Sequence, residues 1–535
     1  MKTMISSIIL ASCLALPLAS CSDSDAAPEQ KDWSTTTYFY SADAAMQDTY
    51  YKPAVGYVGD PMPFFDPVAG DFKVLYLQDF RPNPEGTYHP IWGVSTKDAA
   101  HYTSLGELVS CGTKKSQDAA IGTGSTIYDE ASKLYYTFYT GNKYLPTGDE
   151  SAQAVMVATS PDFKTWTKDR TFLLKGQDFG YDKTDFRDPF VFKGDDGKFH
   201  MLVSTKKGGK GSLAEFVSDD LKNWTDNGVF MTMMWDRFYE CPDLFKMGDY
   251  WYLVYSEIHH AIRRVQYFKG RTLDELKACT ANDAGRWPDA HEGFLDSRGL
   301  YAGKTASDGT NRYLWGWCPT RSGKDNTAVG ASPAEPEWGG NLVCYKLIQH
   351  EDGTLTLGQV DAVSEKYNQD VAVEVKESQN MTEADGTYTL AGNAELPDAY
   401  MLMGRLGNHN KISFTVTTSN EWDKFGISMV RGSDSKKYYT MVVNPENENN
   451  RKVNFEEQGV EGKGFIAGID GYVFARPADN VYNITIYTDN SICVMYINDV
   501  CSYTNRIYGI QKNCWSIDSF NGASVKVSNL KISQY

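Results

Sequence analysis

Short apolar runs separated by Gly, Asp, Asn and Pro fill most of this chain, and long helical periodicity is nearly absent. The runs 72–77, 134–139, 154–158, 199–203, 250–255 and 312–317 predict strands. Residues 272–278 are the one short helical candidate. A different texture begins after about 365. There, alternating runs at 411–417, 426–430, 438–443, 481–487, 491–497 and 523–532 predict a β-sandwich of about 170 residues. The polar stretch 444–452 reads as a long loop.

A repeat orders the first part. Thr96-Lys97-Asp98 leads to Tyr102-Thr103, Ser160-Pro161-Asp162 to Trp166-Thr167, and Ser218-Asp219-Asp220 to Trp224-Thr225. The pattern is Ser/Thr-x-Asp-x-x-x-Trp/Tyr-Thr, with its Asp positions 64 and then 58 residues apart. A turn recurring with an aromatic anchor at that period marks a propeller blade. Residues 51–360 accommodate about five such units. The expected fold is therefore all-β: a five-bladed β-propeller over 51–360, then a β-sandwich over 361–535.

The beginning of the chain reads as a processing signal. Lys2, an apolar run over 5–18 and Leu18-Ala19-Ser20-Cys21 resemble a bacterial lipoprotein signal, too short to span a bilayer as a mature helix. On this reading residues 1–20 are removed, Cys21 carries lipid, and 21–50 tether the fold to the outer membrane. The acidic Ser22-Asp23-Ser24-Asp25 resembles a Bacteroidetes surface-export signal. A net charge of −17 makes nucleic acid and anionic membrane surfaces poor partners. Ten Cys are present, widely spaced and without a Cys-x-x-Cys pair, so a zinc site is not expected. Aromatics make up 13 % of the chain, which suits β packing more simply than sugar stacking. Trp422 and Trp515 pose that choice in the sandwich, with packing the simpler role.

Three acids carry the candidate chemistry. Asp60 lies in Gly59-Asp60-Pro61, Asp188 in Arg187-Asp188-Pro189, and Glu240 in Tyr239-Glu240-Cys241-Pro242. Each is within two residues of a Pro that is expected to open a strand, where no ladder N–H is needed. A ring of sheets would bring three such strand mouths to one pocket. Cleaving a glycosidic bond needs a proton donor and a second carboxylate at the anomeric carbon. Glu240, with Tyr239, Cys241 and Trp235 near it in sequence, is expected to have the less polar surroundings and to suit the donor.

These motifs resemble glycoside hydrolase family 32, the levanases, inulinases and invertases, over about residues 50–535. Phe186-Arg187-Asp188-Pro189 and Glu240-Cys241-Pro242 match that family's Arg-Asp-Pro and Glu-Cys-Pro motifs. Tyr57-Val58-Gly59-Asp60-Pro61-Met62-Pro63 stands where the family has Trp-Met-Asn-Asp-Pro-Asn-Gly, and so loses the Asn amide. Leu77-Gln78, Trp92-Gly93 and Thr123-Gly124-Ser125 are weaker echoes. Trp315-Gly316-Trp317 and Trp338-Gly339-Gly340 fall in the expected last blade.

The resemblance implies a retaining β-fructosidase acting on levan, inulin or sucrose-type saccharides, without metal or organic cofactor. Asp60 would be the nucleophile, Glu240 the acid/base, and Asp188 the stabiliser of the transition state, oriented by Arg187. Tyr57, Gln78, Trp92, Thr123 and Arg187 would line the sugar site. Two other readings stand beside it. One is a related propeller glycosidase acting on arabinose- or xylose-type linkages, the other a non-catalytic glycan-binding lipoprotein.

Overall fold

The computed structural model describes residues 49–80, 89–233, 238–257, 264–279, 293–321, 336–431, 438–446, 452–458, 472–511 and 513–535. The expected signal, Cys21 and nearly all of the tether lie outside these residues, as does Trp235. The fold is nearly all-β, with propeller-like sheets followed by a β-sandwich.

Consecutive antiparallel meanders make the first part. The first is β1 (Tyr57–Asp66), β2 (Asp71–Asp79), β3 (Ile91–Thr96) and β4 (Thr103–Val109). The second is β5 (Ala120–Asp129), β6 (Leu134–Asn142), β7 (Gln153–Ser160) and β8 (Thr167–Lys168). The third is β9 (Phe186–Lys193), β10 (Phe199–Lys207), β11 (Lys210–Ser218) and β12 (Thr225–Thr232). The fourth is β13 (Glu240–Met247), β14 (Tyr250–Glu257) and β15 (Arg264–Gly270). The last is β16 (Tyr301–Ser307), β17 (Arg312–Arg321), β18 (Pro336–Gln349) and β19 (Leu355–Gly358). The leading strands β1, β5, β9, β13 and β16 contact one another in that cyclic order, β16 returning to β1. The ring closes where β18 pairs with β1 at Val58 and Gly340.

Each leading strand slips register near its start. The slips fall between Gly59 and Met62, Gly122 and Gly124, Arg187 and Phe190, Glu240 and Asp243, and Tyr301 and Lys304. Four of them hold a residue in the left-handed region: Asp60 (φ 21°), Asp188 (57°), Cys241 (51°) and Ala302 (52°). These are β-bulges, which re-aim a side chain out of the sheet's alternation. Pro61, Pro189 and Pro242 therefore do not open their strands, as the sequence suggested. They sit inside β1, β9 and β13, within bulges, where a residue without an N–H is tolerated. The groups freed at the β9 bulge are taken up by Ser125, whose Oγ donates to Pro189 O (2.9 Å) and accepts from Val191 N (2.9 Å).

The sequence repeat is the turn between the third and fourth strands of the first three meanders. Thr96, Ser160 and Ser218 accept from the N–H two residues on, at 3.2–3.3 Å. Asp98, Asp162 and Asp220 accept from the N–H three residues on, at 2.8–2.9 Å. Ala99, Phe163 and Leu221 occupy the left-handed position of these turns, at φ 58–63°. Side-chain oxygens thus replace ladder partners at the corner. The short helix α1 (Leu273–Ala278) starts where the sequence predicts, with Thr272 Oγ1 accepting from Glu275 N as its N-cap.

In the sandwich, strict alternation in His409–Thr418 sends every second residue into the core. That strand pairs with Val481–Asp489 and Ser524–Gln534. Trp515 is buried between the two sheets with Met401, Phe425, Ile427 and Ile484, so it is a core residue.

The two parts are joined by buried polar groups. Asp296 accepts from Thr504 N, Thr504 Oγ1 and Ser502 Oγ, each at 2.8 Å. Arg506 donates to Pro319 O (2.7 Å), Cys318 O (2.9 Å), Asn341 Oδ1 (2.6 Å) and Ser491 Oγ (2.9 Å). Gly299 permits the approach, because a Cβ there would lie 2.0 Å from Thr504 O. Removing the guanidinium would strand at least three buried acceptors, each costing about 1–3 kcal/mol. Arg506→Met should lower unfolding free energy by about 3 kcal/mol, read by denaturant titration. An unchanged transition would show that the interface is held by apolar packing alone.

Candidate active site

Asp60, Asp188 and Glu240 all lie at the bulges, and the ring of leading strands brings them to one end of its axis. Glycine 59 precedes the first, and the nearest groups to a Cβ there would be ring atoms of Trp338, at 2.1–2.7 Å. The space of a side chain at 59 is therefore filled by an indole from β18. Trp338 also stacks on His89 (centroids 4.1 Å apart) and lies 6.1 Å from the ring of Trp317.

Asp60 is held from two sides. Thr123 Oγ1 donates to Oδ2 (2.7 Å), and Trp317 Nε1 donates to Oδ1 (2.9 Å). Asp188 is buried. Its backbone N–H donates to Thr140 Oγ1 (2.8 Å), and Cys241 N donates to its Oδ2 (2.9 Å). Glu240 takes Arg187 Nη2 on Oε1 (3.1 Å) and the Tyr301 hydroxyl on Oε2. Arg187 is itself fixed by Asp185 (2.6 Å) and Gln153 (3.3 Å), with its guanidinium 3.8 Å from the centre of the Phe238 ring.

The apolar setting expected for Glu240 is thus not found. Successive residues of a strand face opposite ways, and Tyr239 turns its ring to Tyr255 and Phe268, at centroid distances of 5.1 and 6.4 Å. Glu240 instead meets a guanidinium and a phenol.

A circuit of hydrogen bonds, completed by the Glu240–Cys241 peptide link and the Tyr301–Trp317 strand pair, passes through every meander. Thr123 of β5 holds Asp60 of β1, and Thr140 of β6 donates to Thr123 O (2.9 Å) while accepting from Asp188 of β9. Cys241 of β13 holds Asp188, Tyr301 of β16 holds Glu240, and Trp317 of β17 returns to Asp60. Beneath it Lys304 of β16 is buried, its Nζ donating to Gly124 O (2.7 Å) and lying 5.3 Å from the Phe190 ring centre.

Charge follows from this enclosure. Burial pushes the Asp188 carboxyl up to about 6, with Arg187 and the Cys241 N–H opposing and the Glu240 and Asp60 charges adding to the rise. Asp60 is also raised by burial, its bonds from Thr123 and Trp317 working against that. Burial lowers the Lys304 ammonium, while Cys241, Asp243, Asp188 and Asp60 raise it. The Cys241 thiol is pushed up by burial, so a thiolate nucleophile is disfavoured there.

Of the other residues proposed from sequence, Thr123 and Arg187 join the acids directly. Tyr57, Gln78 and Trp92 stand on the neighbouring strands β1, β2 and β3, Gln78 and Trp92 toward one face of the sheet and Tyr57 toward the other. Lys52 Nζ lies 4.6 Å from the centre of the Tyr57 ring. Gln78 donates to Val55 O (2.5 Å) and keeps a buried Oε1 without a hydrogen bond. Trp92 packs edge-on against Phe80 (5.9 Å), and its buried Nε1 is likewise unbonded. Sequence reasoning gave no role to Thr140, Tyr301 or Lys304, and placed Trp317 and Trp338 only by blade. The distances of 128 (two meanders), 53 and 61 residues between Asp60, Asp188, Cys241 and Ala302 keep to roughly 60 per meander, a spacing that points to Tyr301 and Lys304.

Carboxylates gathered on the axis of propeller-like sheets, with guanidinium, phenol and indole donors around them, define a site of the glycoside hydrolase type. Residues 50–360 match the family model for the glycosyl hydrolases family 32 N-terminal domain, and residues 353–532 match the GH32, BT1760-like, C-terminal domain. The chain belongs to glycoside hydrolase family 32. It is 27 % identical over 311 residues to the β-fructofuranosidase insoluble isoenzyme CWINV2 of Arabidopsis thaliana, covering 52 % of this chain and 50 % of that protein. It is 25 % identical to the fructan 6-exohydrolase of Beta vulgaris, covering 50 % and 46 %. The chain thus spans about half the length of the curated relatives it matches. In fold it is similar to sucrose-6-phosphate hydrolase from Lactobacillus gasseri (TM-score 0.66, 18 % identity, 91 % of this chain and 94 % of that one). It is also similar to exo-inulinase from Aspergillus awamori (TM-score 0.67, 14 % identity, 91 % and 98 %).

The charge arrangement is open to direct test by carbon NMR of labelled aspartate carboxyls. One carboxyl should titrate near pH 6 and be missing in Asp188→Asn. In Lys304→Met that titration should move up by about one unit, the effect of removing one nearby cation from a partly desolvated site. No movement would mean that the Lys304 charge does not reach the acids.

Proposed function

We propose that this chain is a retaining glycoside hydrolase that cleaves β-fructosidic bonds of levan, inulin or sucrose-type saccharides. The observation that carries this reading is the hydrogen-bonded circuit, which holds Asp60, Asp188 and Glu240 together from separate meanders. Asp60, its carboxylate oriented by Thr123 and Trp317, attacks the anomeric carbon and forms a fructosyl-enzyme ester. Glu240 protonates the leaving oxygen and then takes a proton from the incoming water. The Tyr301 and Arg187 contacts fix its direction through both steps. Asp188 accepts from sugar hydroxyls and offsets the positive charge that develops on the ring. Gln78 Oε1 and Trp92 Nε1, both buried and unbonded, supply an acceptor and a donor to the sugar.

Membership of family 32 disfavours the arabinose- or xylose-type alternative, and acids held by hydrogen bonds from separate meanders favour chemistry over a binding-only role. The lost Asn amide has a counterpart in this chain. Trp338 occupies the space beside Gly59, so the sugar meets an indole face in place of an amide. We also read residues 1–20 as a lipoprotein signal and Cys21 as the lipid anchor to the outer membrane, on the Leu-Ala-Ser-Cys pattern.

The test is sugar release from levan, inulin and sucrose, beside Asp60→Asn and Glu240→Gln. Both variants should lose roughly a thousandfold in kcat/KM, and Cys21→Ser should leave the membrane fraction. Activity should fall on the acid side at about pH 6, because Asp188 and Asp60 must be ionised and both titrate above the usual carboxylate range. No release from any of the three substrates, or full activity in Asp60→Asn, would overturn the proposal.

A further inference from the structure

The sandwich carries a cavity far in sequence from the acids. It has a volume of about 270 Å³ and is lined by Trp422, Asp423, Asn444, Glu446, Phe520 and Asn521, among others. Trp422 is 42 % exposed, whereas Trp515, the other tryptophan of this sandwich, is in its core. An indole left in water is unfavourable by itself, and single exposed apolar residues are common. Two further observations set this one apart.

The first is that Trp422 is held in place. The Arg476 guanidinium lies 5.3 Å from its ring centre. Arg476 in turn donates to Glu421 Oε2 (2.9 Å) and Asn480 Oδ1 (3.0 Å). One cation therefore braces the ring, and a braced aromatic loses little freedom when a ligand stacks on it.

The second is the chemistry of the wall beside it. Asn444 and Glu446 are tied to each other, Asn444 Nδ2 donating to Glu446 Oε2 (3.3 Å) and Glu446 N to Asn444 Oδ1 (3.1 Å). Asp423 fixes its own turn by accepting from Asn420 N (2.8 Å). Asn521 stands in a left-handed turn (φ 58°), with Gly522 and Ala523 leaving room beside it. The lining sets Asp423 and Glu446 against Lys424, and Arg476 beside Trp422 is paired with Glu421, so the wall keeps a small negative charge. A slightly acidic wall of amides and carboxylates suits a neutral, hydroxyl-rich ligand better than a phosphate or another polyanion.

From this we infer that the sandwich holds a second carbohydrate site, in which Trp422 stacks on a sugar ring and the Asn444–Glu446 pair and Asn521 bond its hydroxyls. Resting on the fructan reading above, it assigns the ligand as a segment of the polysaccharide substrate itself. The site keeps a long chain on the enzyme between cleavage events, so it acts on polymer and is silent toward sucrose.

The test uses the full chain carrying Glu240→Gln, which separates binding from turnover. Its migration is measured in gels containing levan or inulin, alone and with Trp422→Ala or Asn521→Ala added. The inference expects retardation that weakens about tenfold with Trp422→Ala and less with Asn521→Ala. In the active protein, Trp422→Ala should raise KM for levan or inulin and leave sucrose hydrolysis unchanged. Equal retardation with and without Trp422, or no retardation in either polymer, would overturn it. Neither outcome touches the proposed catalytic function, which fails only if the active protein releases no sugar. Both substituted residues are exposed, so loss of folding would show as an altered thermal midpoint, and Asn521→Ala then decides the matter alone.

Discussion

A single circuit of hydrogen bonds governs this molecule. No carboxylate of the site is held by its own strand alone. Asp60 depends on Thr123 and Trp317, Asp188 on Thr140 and Cys241, and Glu240 on Tyr301 and Arg187. Each partner comes from another meander, or from the neighbouring acid's strand. The site therefore exists only when the ring is shut, and the ring is shut by the pairing of β18 with β1. Five bulges at matching places make this possible, since a regular strand would alternate its side chains into the sheets. The left-handed backbone at Asp60, Asp188, Cys241 and Ala302 is local strain concentrated where the chemistry is.

Enclosure sets the electrostatics as well. Three acids in a largely buried site would repel one another and favour protonation. Two cations, half-buried Arg187 and buried Lys304, offset that repulsion. The balance leaves Asp188 raised to about 6, above the usual carboxylate range. The same logic recurs at the seam with the sandwich, where Asp296 and Arg506 are each met by several neutral partners. Such contacts demand one mutual orientation of the two parts, which apolar packing alone would not.

Much of this was legible in the chain itself. Strands, the capped helix at Thr272 and the repeated corner turn are local features, and the residues that make them are adjacent in sequence. The acid-proline motifs also picked out Asp60, Asp188 and Glu240, which the fold places at three of the bulges. What local reading missed was decided by geometry across the ring. Pro189 looks like a strand opener until the partner strand shows a bulge. Glu240 looks apolar from Tyr239 and Cys241, but pleating turns the Tyr239 ring away. Tyr301 and Lys304 carry no acid-proline marker, and only their period places them. The absence of an Asn at 59 reads as a loss, yet a ring 279 positions later fills the gap.

In the proposed mechanism this circuit arms Asp60 to form a covalent bond to the sugar while Glu240 moves the proton. Mass spectrometry of the Glu240→Gln protein, mixed with a fructoside bearing a good leaving group, addresses it directly. Such a donor needs no protonation to react, and the missing base slows hydrolysis of the ester. One added fructosyl unit is expected on the peptide that contains Asp60, and none when Asp60→Asn is combined with it. No adduct, or an adduct on a peptide without Asp60, would rule out Asp60 as the nucleophile.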